Sequence, residues 1–311
     1  MDREADKPPR ESIPAFPEFR DLQLADRPLL LSFYKTVQPE ISELTFTSLF
    51  SYRVSDRTKI SRIDSTILLK MYLETKNREI FFPPIGTHDI VSVVDAIDRT
   101  ERRDQAFYGL SKDQAESLSK IGFTIEPDRD NWDYVYLVKD LAELKGPKYH
   151  SKRREVKQCL SEHNCEYRPI TGDLVNRCLQ LQEEWCNVMN CEENPSLKNE
   201  NLAVRETFKN FAELNVFGGA AIVDGRLEAF TVGERLNTNT ALVLFEKANP
   251  EIRGLYQVIN QWFSQNALKD YQFSNRGQDI GDSGLRRAKQ SYRPHHMVEK
   301  YAAIRGQTNK G

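Results

Sequence analysis

The chain has 311 residues, of which 39% are hydrophobic and 29% are charged, and its formal net charge is −2. This length exceeds the usual size of one compact core, so we expect two domains. The near-neutral charge excludes a molecule that binds nucleic acid or membranes over its whole surface, so any such contact requires a local basic patch. No apolar run reaches the ~20 residues of a membrane span, and the charged, proline-rich start differs from a signal peptide. We therefore expect a cytoplasmic protein.

The cysteines do not form a recognisable ligand or disulfide pattern. Five are present, an odd count without a CxxC pair: Cys159, Cys165, Cys178, Cys186 and Cys191. The histidines and cysteines also lack the spacing of zinc ligands. The sequence predicts reduced thiols, with neither a disulfide framework nor a metal site.

The first half of the chain predicts a mixed sheet flanked by helices. Residues 1–15 are too polar to pack and predict a disordered lead-in, followed by an N-terminal domain over residues 16–140. Apolar periodicity predicts helices over 26–34, 40–52, 91–97 and 114–121. Strand signals fall at 59–63, 66–73, 79–82, 107–110 and 131–138. This alternation is typical of an α/β or α+β unit.

A basic segment lies between the halves, and we expect it to form a connecting helix over residues 141–165. Its positive charge is concentrated in Lys148, Lys152, Arg153 and Arg154. Such a patch can clamp phosphates. The alternative is a solvated helix in a charged protein.

The second half, residues 166–311, predicts a similar C-terminal domain. The expected helices cover 171–185 and 202–214, separated by a polar loop at 186–201. The expected strands are 167–169, 219–223, 227–233, 242–245, 271–275 and 297–304. Asp224-Gly225 predicts a tight hairpin turn between the second and third of these strands.

The stretch 241–260 has the organisation of a ligand site. The apolar strand Leu242–Phe245 is followed by the acid Glu246, a turn at Asn249, and a helix that begins near Arg253 and Gly254. A strand, a polar turn and a helix aim backbone N–H groups and the helix dipole at an anion. An ordinary turn with a solvated arginine is the alternative.

A second polar cluster follows at residues 275–294. It contains Asn275, Arg276, Asp279, Arg286, Lys289, Tyr292 and Arg293. If strands 242–245 and 271–275 are parallel, both polar ends open at one edge of the sheet, where α/β proteins bind ligands. Arg286, Lys289 and Arg293 would then face a common cleft. The alternative is a surface loop held by its own salt bridges.

Three long motifs in these regions resemble a known family. EKANPEIRGLYQVIN (246–260), NRGQDIGDSGLRRAKQSYRP (275–294) and KGPKYHSKRREVKQ (145–158) are similar to an uncharacterised bacterial family grouped with the C-terminal domain of phosphatidylglycerol lysyltransferases. The resemblance implies two tandem acetyltransferase-like (GNAT) domains, as in lysyltransferases and the Fem aminoacyltransferases. Those relatives use aminoacyl-tRNA as donor. The lysyltransferases also carry a large membrane domain, which this sequence lacks, so the resemblance does not fix a lipid acceptor.

The resemblance also locates the loop that binds acetyl-CoA in other GNAT enzymes, Q/R-x-x-G-x-G/A. Here Gly254 matches its first glycine, but Tyr256 replaces the second and Glu251 replaces the first basic or amide residue. A bulky ring at Tyr256 would crowd the pyrophosphate, which argues against acetyl-CoA as cofactor.

The leading hypothesis is therefore an aminoacyltransferase that takes its group from aminoacyl-tRNA and passes it to an unknown amine or hydroxyl, on a small molecule or a lipid headgroup. Glu246 would accept the proton of the nucleophile, unless it serves only as a salt-bridge partner of Lys247 or Arg276. Donor phosphates or the developing oxyanion would be bound by Arg276, Arg286, Lys289 and Arg293. The substrate would be positioned by Asn249, Arg253 and Gln257. The alternatives are an acetyl-CoA-dependent N-acetyltransferase and a non-catalytic protein that binds an anion in a degenerate cleft.

Overall fold

Two seven-stranded mixed sheets are formed by residues 12–100 and 105–305, the part of the chain that the computed structural model describes. The strands, in chain order, are β1 (Arg20–Asp21), β2 (Lys59–Ile63), β3 (Thr66–Leu73), β4 (Arg78–Phe81), β5 (Gln105–Leu110), β6 (Thr124–Pro127), β7 (Asp133–Leu137), β8 (Cys165–Pro169), β9 (Phe217–Val223), β10 (Arg226–Arg235), β11 (Thr240–Ala248), β12 (Phe273–Asn275), β13 (His296–Val298) and β14 (Tyr301–Arg305).

The α-helices connect these strands and cover the sheets. They are α1 (Arg27–Val37), α2 (Phe46–Ser51), α3 (Ile90–Thr100), α4 (Lys112–Lys120), α5 (Val138–Glu143), α6 (His150–Glu162), α7 (Leu174–Val188), α8 (Pro195–Lys209), α9 (Phe211–Leu214), α10 (Leu255–Asn266) and α11 (Ser283–Ser291). Several begin after a capping side chain, as at Ser111 before α4, whose hydroxyl accepts from the backbone N–H of Gln114.

The first sheet has the strand order β1-β2-β3-β4-β5-β14-β6, and α3 and α4 pack against it. The second sheet has the order β13-β7-β12-β11-β10-β9-β8 and is covered on both faces. On β10, Phe230 packs with α7, α8 and α2, while its neighbour Ala229 packs with α5, α6 and α10. This alternation follows from the two-residue period of a strand.

Strands β7 and β14 cross between the two halves of the sequence. β7 belongs to the first half but pairs with β12 and β13 in the second sheet. β14, near the C-terminus, pairs with β5 and β6 in the first sheet. The predicted single strand over 297–304 is therefore wrong, since β13 and β14 enter different sheets. Each sheet therefore contains strands from both of the expected domains, residues 16–140 and 166–311.

Several predicted elements differ from the structure. The helix expected over 40–52 is only α2, because Thr45 caps its start by accepting from the Ser48 N–H at 3.1 Å. The loop expected at 186–201 is wrong, because Asn194 caps α8, which begins at Pro195. β6 was not predicted from the sequence.

The predicted lead-in lies largely outside the described residues, which begin at residue 12. Within residues 12–15, Ile13 is buried in a core cluster and Ala15 forms a bridge with Arg62. The packed chain therefore starts before residue 16.

The prediction that all cysteines are reduced is wrong. Cys186 near the end of α7 and Cys191 in the following turn form a disulfide, because the chain reverses between α7 and α8 and brings their Cα atoms within 5.0 Å. Cys159, Cys165 and Cys178 are free thiols. In the described part of the chain, no helix combines the length and the apolar character that a bilayer crossing needs.

Candidate active site

The two polar segments meet where β11 and β12 diverge. These strands are parallel, which was the condition for a shared ligand site, but they pair only between Thr240–Leu242 and Phe273–Asn275. β11 continues to Ala248 after β12 has ended at Asn275. Two charged residues face each other across this gap: Glu246 on β11 and Arg276, which follows β12. The sheet therefore opens at this edge, the arrangement by which α/β proteins bind ligands.

A β-bulge at Leu244 sets the direction of Glu246. Val232 pairs with Phe245 and Gly233 pairs with Val243, so Leu244 is an extra residue on β11. After the bulge, Phe245 lies in the core with α7 and α8, and Ala248 lies in the core with α5, α6 and α10. Glu246 shares the face of Ala248, and it is thereby turned toward α10.

Glu246 is tied to Arg276 by one oxygen and is only loosely bonded at the other. Arg276 Nη2 lies 2.6 Å from Glu246 Oε1, and both side chains are about nine-tenths buried, at 13% and 12% exposure. Oε2 is 3.5 Å from the Thr231 hydroxyl and 3.4 Å from the Asn260 side-chain nitrogen. When the oxygen and nitrogen of the Asn260 amide are exchanged, its oxygen accepts hydrogen bonds from both terminal nitrogens of Arg276, at 3.0 and 3.2 Å. In that orientation Thr231 is the one described donor to Glu246 Oε2.

Two salt bridges were considered for Glu246, and the structure contains the one to Arg276 and not the one to Lys247. Lys247 points to the opposite face of the sheet, where its ammonium lies 2.6 Å from Glu200 and 3.8 Å from the centre of the Trp185 ring. Consecutive residues of β11 thus place an acid and a base on different faces, and they do not interact with each other.

Aromatic rings and a second cation surround Arg276. Its guanidinium lies 5.9 Å from the Tyr136 ring and 5.3 Å from the Tyr292 ring. The Lys152 ammonium lies 4.5 Å from the Tyr292 ring, and burial lowers the pKa of Lys152. Burial also raises the pKa of both tyrosines, so they are neutral and can act as hydrogen-bond donors.

Lys289 holds the backbone at Arg276 rather than facing an open cleft. Its ammonium donates to the carbonyl oxygens of Arg276 and of Gly277, the latter at 3.3 Å. Burial, reinforced by the nearby Arg276 charge, lowers the pKa of Lys289 to about 7. The side chain therefore supports the residue that pairs with Glu246.

Asp279 and Arg286 are likewise committed to internal contacts. The fully buried Asp279 accepts from the Tyr134 hydroxyl at 2.6 Å and from Arg286 at 2.8 and 2.9 Å, and Arg286 also pairs with Asp130. Burial opposes ionisation of Asp279, but these hydrogen bonds outweigh it and hold its pKa below the usual range. Asn275 bonds the Asp133 carboxylate at 3.0 Å. This part of the cluster is held by its own salt bridges, as the alternative interpretation expected.

The β11–α10 turn uses its polar groups internally. Asn249 donates to Glu228 at 2.9 Å, and its side-chain oxygen accepts from the Glu251 N–H at 3.0 Å. The N–H groups of Ile252 and Leu255 also donate within the turn. The Tyr256 hydroxyl accepts from Trp185 Nε1 at 3.0 Å.

Gly254 provides close packing against α6. It has φ +85°, and a Cβ added to it would lie 2.5 Å from the carbonyl oxygen of Glu155. The backbone at this position approaches another helix, where a CoA pyrophosphate would need free amides. The residues present therefore do not fit the acetyl-CoA group that the GNAT fold implies, and we derive no step through it.

Three cations of the predicted site are not engaged in internal contacts. Arg253, Arg293 and Arg154 are exposed and have no side-chain ion pair or hydrogen bond with another described residue, while Lys152 lies against the Tyr292 ring. By contrast, Lys148 pairs with Asp140 at 2.7 Å. Arg153 donates to the carbonyls of Leu144 and Gly146 beside the end of α5. Gln257 is half-buried on the first turn of α10, without a side-chain hydrogen bond to the described residues.

Sequence reasoning missed Asn260, Thr231 and Tyr136. Asn260 is buried between Ile259 and Phe263 on α10, and an amide within an apolar stripe is the signal that could have identified it. Thr231 and Tyr136 sit on strands whose alternation gives no sign of a shared site, because their proximity depends on the order β7-β12-β11-β10.

Comparison of the whole structure with solved structures identifies its class. A tandem GNAT protein from the clavulanic acid biosynthesis pathway has a TM-score of 0.51 at 11% identity, with 92% of this chain and 98% of that chain covered. The two mixed sheets flanked by helices are therefore two GNAT-like domains, as expected from the sequence. Identity this low supports the fold alone.

Residues 34–304 match the family described as phosphatidylglycerol lysyltransferase, C-terminal, and the chain belongs to this family. A search among curated proteins finds no match. A conserved protein of unknown function from Bacteroides thetaiotaomicron is 34% identical, with a TM-score of 0.84 and coverage of 92% of this chain and 98% of that chain.

Two further structures share the fold at lower identity. The C-terminal domain of a putative lysylphosphatidylglycerol synthetase from Agrobacterium fabrum is 14% identical, with a TM-score of 0.65 and coverage of 92% and 93% of the two chains. L-PGS from Bacillus licheniformis is 12% identical, with a TM-score of 0.63 and coverage of 96% and 95%.

Proposed function

We propose that this protein is a cytoplasmic aminoacyltransferase that takes its group from aminoacyl-tRNA and passes it to an amine or hydroxyl of a small molecule or lipid headgroup. The observation that carries the proposal is the geometry of Glu246. One of its oxygens is fixed by Arg276 at 2.6 Å, while the other has only a weak donor, at the edge where β11 and β12 diverge. Membership of a lysyltransferase family supports the same general class, acyl or aminoacyl transfer.

The proposed reaction requires one proton acceptor and one fixed charge. The acceptor's amine or hydroxyl attacks the ester carbonyl of the aminoacyl group, and Glu246 Oε2 takes the proton that the nucleophile loses. A new C–N or C–O bond forms, the ester C–O bond breaks, and the terminal ribose hydroxyl of the tRNA leaves with a proton. Arg276 keeps the carboxylate oriented, and its guanidinium would offset negative charge that develops beside Glu246.

The donor's phosphates would bind the cations that the structure leaves unpaired. Arg253 precedes Gly254, which packs on α6, and α6 carries Lys152 and Arg154. Arg293 follows Tyr292, whose ring lies beneath Lys152. Lys152 and Arg276 both lie against the Tyr292 ring, so Lys152 is close to the Glu246–Arg276 pair, and we propose that the donor's phosphates bind around it. Arg286 and Lys289, which the sequence suggested for the same role, are engaged inside the protein.

The test is a binding titration of the protein with an aminoacyl-tRNA pool, CoA and acetyl-CoA over a range of salt concentrations. We expect tRNA binding that weakens steeply with salt, because phosphate contacts release counterions, and no CoA binding. The double variant Arg253→Ala/Arg293→Ala should reduce the salt slope by about two. The control Arg168→Ala, an exposed arginine paired with Glu166 on β8, should leave it unchanged. Tight CoA binding without tRNA binding would contradict the proposal.

A second candidate function, anion binding without catalysis, is favoured by the burial of the Glu246–Arg276 pair. It predicts the same salt-dependent binding but no transfer to any acceptor. Incubation with radiolabelled aminoacyl-tRNA and a mixed pool of amine and hydroxyl acceptors separates the two functions. Transfer that is lost in Glu246→Gln and kept in the control Glu251→Gln supports the aminoacyltransferase.

A further inference from the structure

A pocket at the opposite end of β11 from Glu246 has a different character from the basic surface. It has a volume of about 170 Å³, and its lining residues come from both halves of the chain. Thr240 lies in this lining, six residues before Glu246 on the same strand, which corresponds to roughly 20 Å along β11. The pocket is thus separate from the proposed aminoacyl site.

Glu40, which lines the pocket, belongs to a segment (residues 38–40) that is held to the second sheet by several hydrogen bonds. The Asn237 amide donates to the Pro39 carbonyl at 3.0 Å, and the Asn275 amide donates to the Glu40 carbonyl at 3.2 Å. Gln38 Oε1 accepts from the backbone N–H and the hydroxyl of Thr238, at 2.8 and 2.6 Å. The backbone that carries Glu40 is therefore held in place before any ligand arrives.

Two polar side chains of this pocket remain without a partner. The Glu40 carboxylate and the Asn239 side chain, both exposed, have no hydrogen bond or ion pair within the described ranges. Burial and the neighbouring His295 lower the pKa of His296, so this imidazole is neutral near pH 7. Among the described residues that line the pocket there is no lysine or arginine. The pocket carries a net negative charge.

An aromatic cluster completes the pocket. The Phe273 ring lies 5.4 Å from the His296 ring at an interplanar angle of 89°, and 5.3 Å from the His295 ring. Phe273 and Glu40 both line the pocket, and an aromatic ring together with a carboxylate attracts an organic cation, since the quadrupole and the charge act in the same direction. At ~30 Å³ per water-sized group, the pocket has room for about five or six heavy atoms.

From this arrangement we infer that the pocket is a second ligand site, for a small primary alkylamine bound as its ammonium ion. The ammonium donates to the Glu40 carboxylate and to the Asn239 side-chain oxygen, and its alkyl part packs on Phe273, Val135 and Val298. Asn237 and Asn275 act indirectly, by fixing the backbone of Pro39 and Glu40. The site does not depend on Glu246 or on the identity of the donor.

The test is an NMR titration of the full-length protein with ethylammonium chloride, with sodium chloride replaced so that ionic strength stays constant. The readouts are the methyl signals of Val135 and Val298 and the ring signals of His296. We expect a saturable shift confined to the pocket, in the millimolar range. Ethanol, which has the same number of heavy atoms and no charge, is expected to give no saturable shift.

Matched variants decide whether the carboxylate recognises the ligand. Glu40→Gln should weaken ethylammonium binding about tenfold, which corresponds to one charge-assisted contact. The control Glu18→Gln changes an exposed glutamate elsewhere in the first half and should bind as the wild type does. Equal binding by Glu40→Gln, saturable binding of ethanol, or the absence of a saturable shift up to about 100 mM would each overturn the inference.

Discussion

Asp133 and Glu246 are two buried carboxylates of the second sheet, and they differ in how completely they are hydrogen-bonded. Asp133 accepts four hydrogen bonds: from the Ser42 N–H and hydroxyl at 2.7 and 2.8 Å, from Asn275 at 3.0 Å and from Lys300 at 2.8 Å. Glu246 has one short contact, with Arg276, and one oxygen whose donors lie at 3.4 Å or beyond.

The difference distinguishes a carboxylate that stabilises the fold from one that can still bind a substrate group. The Asp133 cluster lies where the chain passes from β13 to β14, and Lys300 there also binds Glu43. A fully satisfied buried network fixes how two parts of a protein meet. Glu246 instead keeps an incompletely bonded oxygen at the open edge of the sheet, which is what a proton acceptor requires. We therefore assign fold specificity to the first carboxylate and chemistry to the second.

The largest expected effect on stability is that of Lys300→Met. This change leaves the buried Asp133 without its cation, and breaking a buried pair costs about 3–5 kcal/mol of unfolding free energy. Urea denaturation measures it. The control Lys59→Met removes an exposed pair with Asp21, with atoms 3.6 Å apart, and should cost less than about 1 kcal/mol. Similar losses of unfolding free energy in the two variants would show that the buried Asp133 cluster contributes no more than an exposed ion pair.

Glu234 is a third buried carboxylate, and it forms no salt bridge within the described residues, although the charge of Arg27 is near enough to act on it. Thr47 donates to its Oε2 at 2.8 Å, Oε1 has no partner in the described structure, and burial raises its pKa from 4.5 to about 7. The unfolded chain loses this proton near pH 4.5, while the folded protein keeps it until about pH 7. Stability attributable to Glu234 should therefore fall as pH rises through this window.

The measurement for Glu234 is the difference in unfolding free energy between wild type and Glu234→Gln as a function of pH. Relative to the wild type, the unfolding free energy of the variant should rise by up to about 3 kcal/mol between pH 4.5 and 7. Above that range the difference should stay constant. A difference that does not depend on pH would show that Glu234 titrates normally.

A smaller effect is expected from the disulfide, which lies outside both charged sites. Cys186→Ser/Cys191→Ser removes a cross-link between residues five apart, and the chain-entropy model gives about 2 kcal/mol for so short a loop. Thermal denaturation should show the loss, and aminoacyl-tRNA binding should stay unchanged. Weaker tRNA binding in this double variant would place the α7–α8 region in the donor site.

Local patterns in the sequence predicted the elements around the site. The strand at 242–245 and the Asp224-Gly225 hairpin were expected and are confirmed. These features depend on short-range periodicity and turn chemistry. The crossing of β7 and β14 depends on pairing between residues more than 130 positions apart, for which a single sequence contains no local signal.

The candidate site was predictable in position but only partly in its roles. The charged residues of 275–294 were expected to bind a ligand together, yet Arg286 and Lys289 hold the loop, and only the side chain of Arg293 points to no described partner. Composition cannot distinguish an arginine that binds phosphate from one that binds a buried aspartate. The distinction requires the position of Asp279, which is set by tertiary packing.

The most direct measurement compares Glu246→Gln with Asp133→Asn, using unfolding free energy and aminoacyl transfer in the same two proteins. We expect Glu246→Gln to lose roughly 10²–10⁴-fold in turnover per folded molecule, the range for a general base, in addition to the stability lost because Arg276 is left buried without its anion. We expect Asp133→Asn to lose several kcal/mol of stability and to keep turnover per folded molecule. Full turnover per folded molecule in Glu246→Gln, or lost turnover per folded molecule in Asp133→Asn, would contradict the assignment of chemistry to Glu246.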